Sequence, residues 1–223
     1  MRIIKAGVKL ITVSIVLVLL VVGGIGTKYL VEGYNLYQEV TSEESIHEKV
    51  QIIRQDELYI DTSEVSPYFK EALIAVEDHR FYEHGGVDLI GLGRALLTNI
   101  KNQEIVQGGS TISQQLAKNM YFGHEQTVTR KVAELFVAVA IEEAYEKEDI
   151  LEMYMNLIYF GRGCYGIQEA SQTYYDKEPI ALTLEESAYL AGLPQAPSVY
   201  AEDHALATQR QQVVLEAMGH TTE

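Results

Sequence analysis

Eighteen consecutive positions, Leu10 to Thr27, carry no charge. At about 1.5 Å per helical residue they span roughly 27 Å, close to a bilayer core, so the pattern predicts one membrane-spanning helix. The stretch 32–66 that follows is polar and irregular, with Val50, Ile52, Leu58 and Ile60 alternating in a way that predicts short extended pieces before Pro67. From Tyr68 onward the apolar spacing becomes helical: Ala72, Leu73 and Val76, then Leu89, Leu92, Leu96 and Ile100. Thr111 with Gln114, and Thr183 with Glu186, are capping-box pairs ahead of apolar or small-residue runs. Further helices are expected over 129–144 and 147–160, the second ended by Gly161. The fold class is mainly α.

Arg2, Lys5 and Lys9 precede the uncharged run with no acidic residue among them. This places the N-terminus in the cytoplasm and the bulk of the chain on the extracellular face of the cytoplasmic membrane, held by a single pass. A cleaved signal peptide is the alternative. The run is longer than a usual signal core and lacks an Ala-x-Ala site, although Gly24-Ile25-Gly26 is small enough for cleavage. The expected division is a cytoplasmic N-terminus (1–9), an anchor (10–28), a stalk (29–64), one domain of ordinary size (65–218) and a tail (219–223).

The net charge is −15, and the first 28 residues hold four basic and no acidic side chains, which leaves about −19 on the remainder. Nucleic acid is therefore excluded as a partner, and any anionic ligand needs a local cationic cluster. A lone cysteine, Cys164, rules out an intramolecular disulfide. Gly161, Gly163 and Gly166 have dinucleotide-binding spacing, but the residues before them have helical period and no second parallel strand follows, so they read as a helix stop and a tight turn.

Three segments can carry chemistry. Glu77 and Asp78 stand directly behind the apolar run Ala72–Val76, so Glu77 sits at the rim of a core, with Asp78, Arg80 and His84 close enough to bond around it. The alternative is a solvated helix end with an Asp78–Arg80 pair. Glu134 is the one polar residue in the run Val132–Ile141, so it is buried and must be paired, with Arg130 and Lys131 one turn away; a structural ion pair and a catalytic role both fit. Between them, Gly108-Gly109-Ser110-Thr111 opens a capped helix carrying Lys118. Its free N–H groups suit an anion, or the turn is a plain helix start. Two carboxylates in one cleft is an arrangement that sugar-bond chemistry uses. The histidines have no metal-site spacing, and no Ser-x-x-Lys of a penicillin-binding acyl-transfer domain occurs.

These pieces, in this order, resemble the peptidoglycan glycosyltransferases, glycosyltransferase family 51, found as monofunctional transglycosylases and as domains of penicillin-binding proteins. Glu77 to Asp88 is similar to the family's first motif and Gly108 to Asn119 to its second. Arg130 to Glu134 with Glu148 to Gly166, Glu185 to Tyr200, and Gln209 to Met218 resemble the third, fourth and a degenerate fifth. The resemblance implies a lysozyme-like helical lobe with a smaller membrane-associated jaw, to which Leu89, Ile90, Leu92, Leu96 and Leu97 would belong. It implies polymerisation of lipid II into a β-1,4-linked glycan chain, with inversion and release of undecaprenyl pyrophosphate. Glu77 would be the catalytic base. Glu134 would act on the leaving-group side, with a divalent cation such as Mg²⁺ or Mn²⁺ as an implied cofactor. Asp78, Phe81, His84, Arg94, Gly109, Ser110, Thr111, Gln114, Gln115, Lys118, Asn119, Arg130 and Lys131 would meet substrate. Partners implied are lipid II, membrane lipid, moenomycin-type inhibitors, and penicillin-binding or division proteins.

One departure stands out: where many members carry an arginine against pyrophosphate, this chain has Gln126, so that binding either rests more on Arg94 and Lys118 or is compensated by a bound metal. A lysozyme-like hydrolase with Glu77 as an acid shares the carboxylate logic but has no use for a pyrophosphate-binding set. A silent lipid II-binding scaffold has no use for intact Glu77, Glu134 and Lys118.

Overall fold

The computed structural model describes the backbone of residues 2–102, 108–123 and 125–220, with side chains from 23 onward except at 102. Helix α1 (Arg2–Glu43) leads into α2 (Ile46–Arg54), α3 (Pro67–Glu77), α4 (Leu89–Asn102) and α5 (Ile112–Tyr121). Then come α6 (Val128–Ala144), α7 (Lys147–Leu157), α8 (Gly166–Tyr175), α9 (Leu184–Gly192), the single turn α10 (Pro197–Tyr200) and α11 (His204–Ala217). The protein is mainly helical, and among the described residues β pairing is limited to one antiparallel bridge between Tyr159 and Tyr165. No helix among the described residues is long and apolar enough to cross a membrane. The expected span at 10–27 lies, up to residue 22, outside the residues whose side chains are described.

The predicted caps form, with one difference. Thr183 accepts from the backbone of Glu186, whose carboxylate accepts in return from Thr183 N–H at 3.0 Å. Thr111 likewise accepts from Gln114 N–H, but the Gln114 amide turns away to the carbonyl of Gly86. Helix α7 stops at Leu157, earlier than expected, because residues 158–166 fold into a tight turn. There Gly161, Gly163 and Gly166 adopt φ of +83°, +82° and +79°, values that side-chain-bearing residues rarely take, so the glycine spacing serves backbone geometry.

Residues 32–66 differ from the expected irregular stretch. Helix α1 continues to Glu43, and α2 opens with a full Ser45–Glu48 capping box. Val50 and Ile53, three apart on one helical face, are the buried residues of α2, while Ile52 and Leu58 are exposed. Arg54 pairs with Asp149 at 2.5 Å and Tyr59 donates to Glu152 at 2.7 Å, so this segment is fastened to α7.

At the centre lies α5, with Ile112, Leu116 and Ala117 fully buried against α6 and α7; α3 packs on α9 and α11. Helix α1 crosses α6 at Gly33, where a Cβ would lie 2.5 Å from Val132 Cγ1, and Tyr34 and Tyr37 pack on the Phe136 ring. Helix α4 stands apart: of its described residues only Ala95 is buried, while Leu89, Ile90, Leu92, Leu96, Leu97 and Ile100 face outward.

Two contacts set the loop after α3. Asp78 Oδ2 accepts from Ile112 N–H at 3.0 Å, joining the end of α3 to the start of α5. Gly86 O accepts from Thr111 Oγ1 at 2.9 Å and from Gln114 Nε2 at 3.2 Å, while its Cα presses on α6, where a Cβ would meet Val139 N at 2.6 Å. Backbone cannot yield as a flexible side chain does. Gly86→Ala should therefore lower unfolding free energy by about 1–3 kcal/mol, read from the urea midpoint; an unchanged midpoint would show that the loop does not need this close approach.

Candidate active site

A cleft of about 800 Å³ opens where the end of α3, the starts of α5 and α6, one side of α4, the turn after α9 and one face of α11 meet, a size suited to a small organic ligand. Glu77, the last residue of α3, is half-buried at its edge. Its Oε2 accepts from Gln115 Nε2 at 2.7 Å, and Gln115 Oε1 accepts from the hydroxyl of fully buried Tyr154 at 2.9 Å. The order of donors is fixed. A carboxylate can only accept, so the Gln115 amide must present its NH₂ to Glu77 and its oxygen to Tyr154. Burial pushes the Glu77 carboxyl above its ordinary value and neighbouring Asp78 adds to this, while the Gln115 bond and the charge of Arg210 pull the other way. Burial also holds the Tyr154 hydroxyl protonated well beyond its ordinary range, which preserves the chain of donors.

Asp78, Arg80 and His84 do not gather around Glu77. They build the loop behind it: Asp78 Oδ1 meets His84 Nε2 at 2.8 Å, and Arg80 pairs with Glu83 and Asp88 rather than with Asp78. Phe81 and His84, expected at the substrate, do not line the cleft. Phe81 is fully buried with the Lys147 ammonium 4.3 Å from its ring centre, and His84 is held between Asp78 and the carbonyl of Gly85. The Phe81 ring is spent on the core, and the His84 ring on bracing the loop.

Across the cleft, Glu134 is fully buried and paired with both Arg130 and Lys131, the latter at 2.9 Å. Lys131 also donates to Ser110 Oγ at 2.8 Å, which ties the glycine-rich turn to α6. Gly109 brings that turn against α4, where a Cβ would lie 2.9 Å from Leu92 Cδ1. The start of α5 already holds a carboxylate of the protein itself. Of its first-turn N–H groups, that of Ile112 donates to Asp78 and that of Gln114 to the Thr111 hydroxyl. Thr111 and Gln114 reach the cleft wall, but their hydrogen bonds run to Gly86 and the helix cap.

Lys118 and Asn119 line the cleft, and their side chains form no hydrogen bond or ion pair among the described residues. Arg94 Nη1 lies 2.6 Å from His79 Nε2 at the α4 side, and burial with this neighbouring charge depresses the His79 pKa. Gln126 is exposed and does not border the cleft. A residue that spacing alone undervalues is Arg210, on the buried face of α11 between Ala207 and Val214; a charged side chain on that face was the available signal.

The residues around Glu134 do not fit a divalent ion, because two cationic side chains already neutralise it. Asp78, His84 and Asp88 bring one possible ligand atom each within 4.8 Å of one another and could hold an ion. Asp78 is already committed to His84 and to Ile112 N–H, however, so an ion there would compete with the contacts that join the loop and α5 to the end of α3.

The geometry meets its relatives here. A family model described as Transglycosylase matches residues 43–219. Penicillin-binding protein 1F of Bacillus subtilis is 49% identical over 141 residues, 63% of this chain and 20% of that protein. Penicillin-binding protein 1A of Escherichia coli is 44% identical over 163 residues, 71% of this chain and 19% of that protein. The chain thus spans about a fifth of these long relatives. A provisionally named transglycosylase of Cupriavidus necator is 43% identical over 162 residues, covering 72% of this chain and 70% of that protein. With most of its length matched by the family model and a similarly short relative aligned over most of both chains, this chain belongs to the transglycosylase family.

Proposed function

We propose that the protein is a peptidoglycan glycosyltransferase that polymerises lipid II into β-1,4-linked glycan with inversion and release of undecaprenyl pyrophosphate. The observation that carries this reading is Glu77, a carboxylate held by a directed donor chain and made more basic by burial, at the edge of a cleft that also holds uncommitted cations. Glu77 takes the proton of the acceptor sugar hydroxyl, and the freed electron pair attacks the donor's anomeric carbon. The bond from that carbon to the pyrophosphate oxygen breaks on the opposite side, and its electrons leave with the phosphate. Lys118 is placed to meet that charge, and Arg94 borders the same space. Glu134 fixes Arg130 and Lys131, and through Lys131 the Ser110 turn, as the wall against which the leaving group lies.

The family's lysozyme-like lobe would then be the core around α5, and the apolar outward face of α4 the jaw resting on lipid. The matching division keeps 1–9 inside the cell, 10–28 as anchor, 29–64 as a helical connection, 65–218 as the transferase and 219–223 as a tail. Protease added to intact spheroplasts should remove the domain; protection until lysis would reverse the orientation.

With purified protein and lipid II, Glu77→Gln should lose roughly 10²–10⁴-fold in rate. Because burial lifts the carboxyl above 4.5, the wild-type acid limb of kcat/KM should lie above that pH and vanish in the variant. The amide oxygen introduced by Glu77→Gln can still accept from Gln115, and the variant sheds a half-buried charge, so its melting temperature at neutral pH should hold or rise. Wild-type turnover by this variant would remove Glu77 as the base. A wild type that only shortens preformed glycan would make the protein a hydrolase.

Glu134→Gln should impair both turnover and stability, the latter by on the order of 3 kcal/mol, because two cations lose a buried counter-charge. An unchanged urea midpoint would deny Glu134 its structural part.

A further inference from the structure

The cations of the cleft are unequally committed. Arg130 and Lys131 are bound to Glu134, and Arg94 rests on His79. The Arg210 side chain makes no hydrogen bond or ion pair among the described residues, and its Nε is buried without a partner. Leaving a guanidinium partly desolvated and unpaired costs stability, and in a chain of net charge −15 an acidic partner would be easy to supply. The surroundings make room for it instead: α9 carries Gly192 where a Cβ would lie 2.9 Å from Arg210 Cγ, so the stem of the arginine lies directly against the α9 backbone.

Its place in the cleft decides what it serves. Arg210 reaches the cleft from α11, beside Pro194 and Gln195, and is near enough to Glu77 for each charge to act on the other. In a displacement with inversion, the base and the leaving group stand on opposite sides of the reacting carbon. A cation on the base's side is therefore on the wrong side to neutralise pyrophosphate, but on the right side for the sugar that attacks.

We propose that Arg210 is an acceptor-side binding residue, its guanidinium donating to an oxygen of the incoming sugar while Glu77 takes the proton of the attacking hydroxyl. This assignment rests on the glycosyltransferase reading above and divides the cleft's charge into two functions. Lys118 meets the phosphate that leaves, and Arg210 holds the sugar that arrives. The acceptor oxygens within reach of such a group are hydroxyls and an acetamido carbonyl, both able to accept from guanidinium N–H.

The test varies lipid II as acceptor against a fixed, labelled lipid-linked glycan donor, using the full chain in wild-type, Arg210→Gln, Arg210→Lys and Lys118→Gln forms. A hydrogen bond from a charged donor predicts an acceptor KM raised by about 10–100-fold in Arg210→Gln, with partial recovery in Arg210→Lys. Moenomycin, as a pyrophosphate-type probe, should bind Arg210→Gln within about twofold of wild type and Lys118→Gln much more weakly. An acceptor KM unmoved in Arg210→Gln overturns the assignment. So does a loss of moenomycin affinity equal to that of Lys118→Gln, which would put Arg210 on the phosphate. A lowered melting temperature with kcat and KM lost together and no recovery by lysine would make the residue a packing element. If the wild type itself makes no glycan, the functional reading falls and this one with it; an active wild type beside an indistinguishable Arg210→Gln sinks Arg210 alone.

Discussion

The carboxylate of Asp78 is the joint on which the site depends. It stands where α3 ends and accepts from the first N–H of α5, so the negative end of one helix and the positive end of another are closed against each other by a single side chain. Everything reactive is placed relative to that joint. Glu77 is the residue before it, Gln115 is one turn into α5, and their hydrogen bond exists because the two helix ends are held at this separation. His84 then ties the loop to Asp78 itself, and Gly86 returns it to the start of α5, so that one turn of α5 meets both the end of α3 and the loop after it.

That economy explains why the glycine-rich turn reads ambiguously from sequence. A Gly-Gly-Ser-Thr start with free N–H groups is a sound anion site in the absence of a tertiary partner, yet here the partner is a carboxylate thirty-four positions earlier in the chain. The same holds for Gln114: its spacing to Thr111 satisfies the capping box, and only the approach of Gly86 diverts its amide. At this helix start local rules gave the correct cap, and non-local contacts changed which atoms were left over for ligand.

Legibility followed the range of the forces involved. Helices α6 and α9, with periodic apolar faces and good caps, stand where the pattern put them, and Glu134 is buried and paired as its apolar neighbours required. The helix α2 was missed although its Ser45–Glu48 box was present, because Val50 and Ile52 suggested a period of two while Ile53 completes a period of 3.6 with Val50. Phe81 and His84 were placed at the substrate by motif position; whether such residues face inward or outward depends on Lys147 and Gly85, which no spacing rule connects to them. Arg210 needed knowledge of a gap left by a glycine on another helix.

Helix α1 runs without interruption from Arg2 to Glu43 and is locked to α6 where Gly33 allows the two backbones to touch. There is no swivel between them, so the helix works as a shaft keyed to the domain. Each residue added to a helix advances it by about 1.5 Å and turns it by about 100°. A single insertion between Gly26 and Gly33 would therefore leave the cleft chemically intact while changing the compass bearing of its mouth, by more than a quarter turn, relative to whatever grips the shaft upstream.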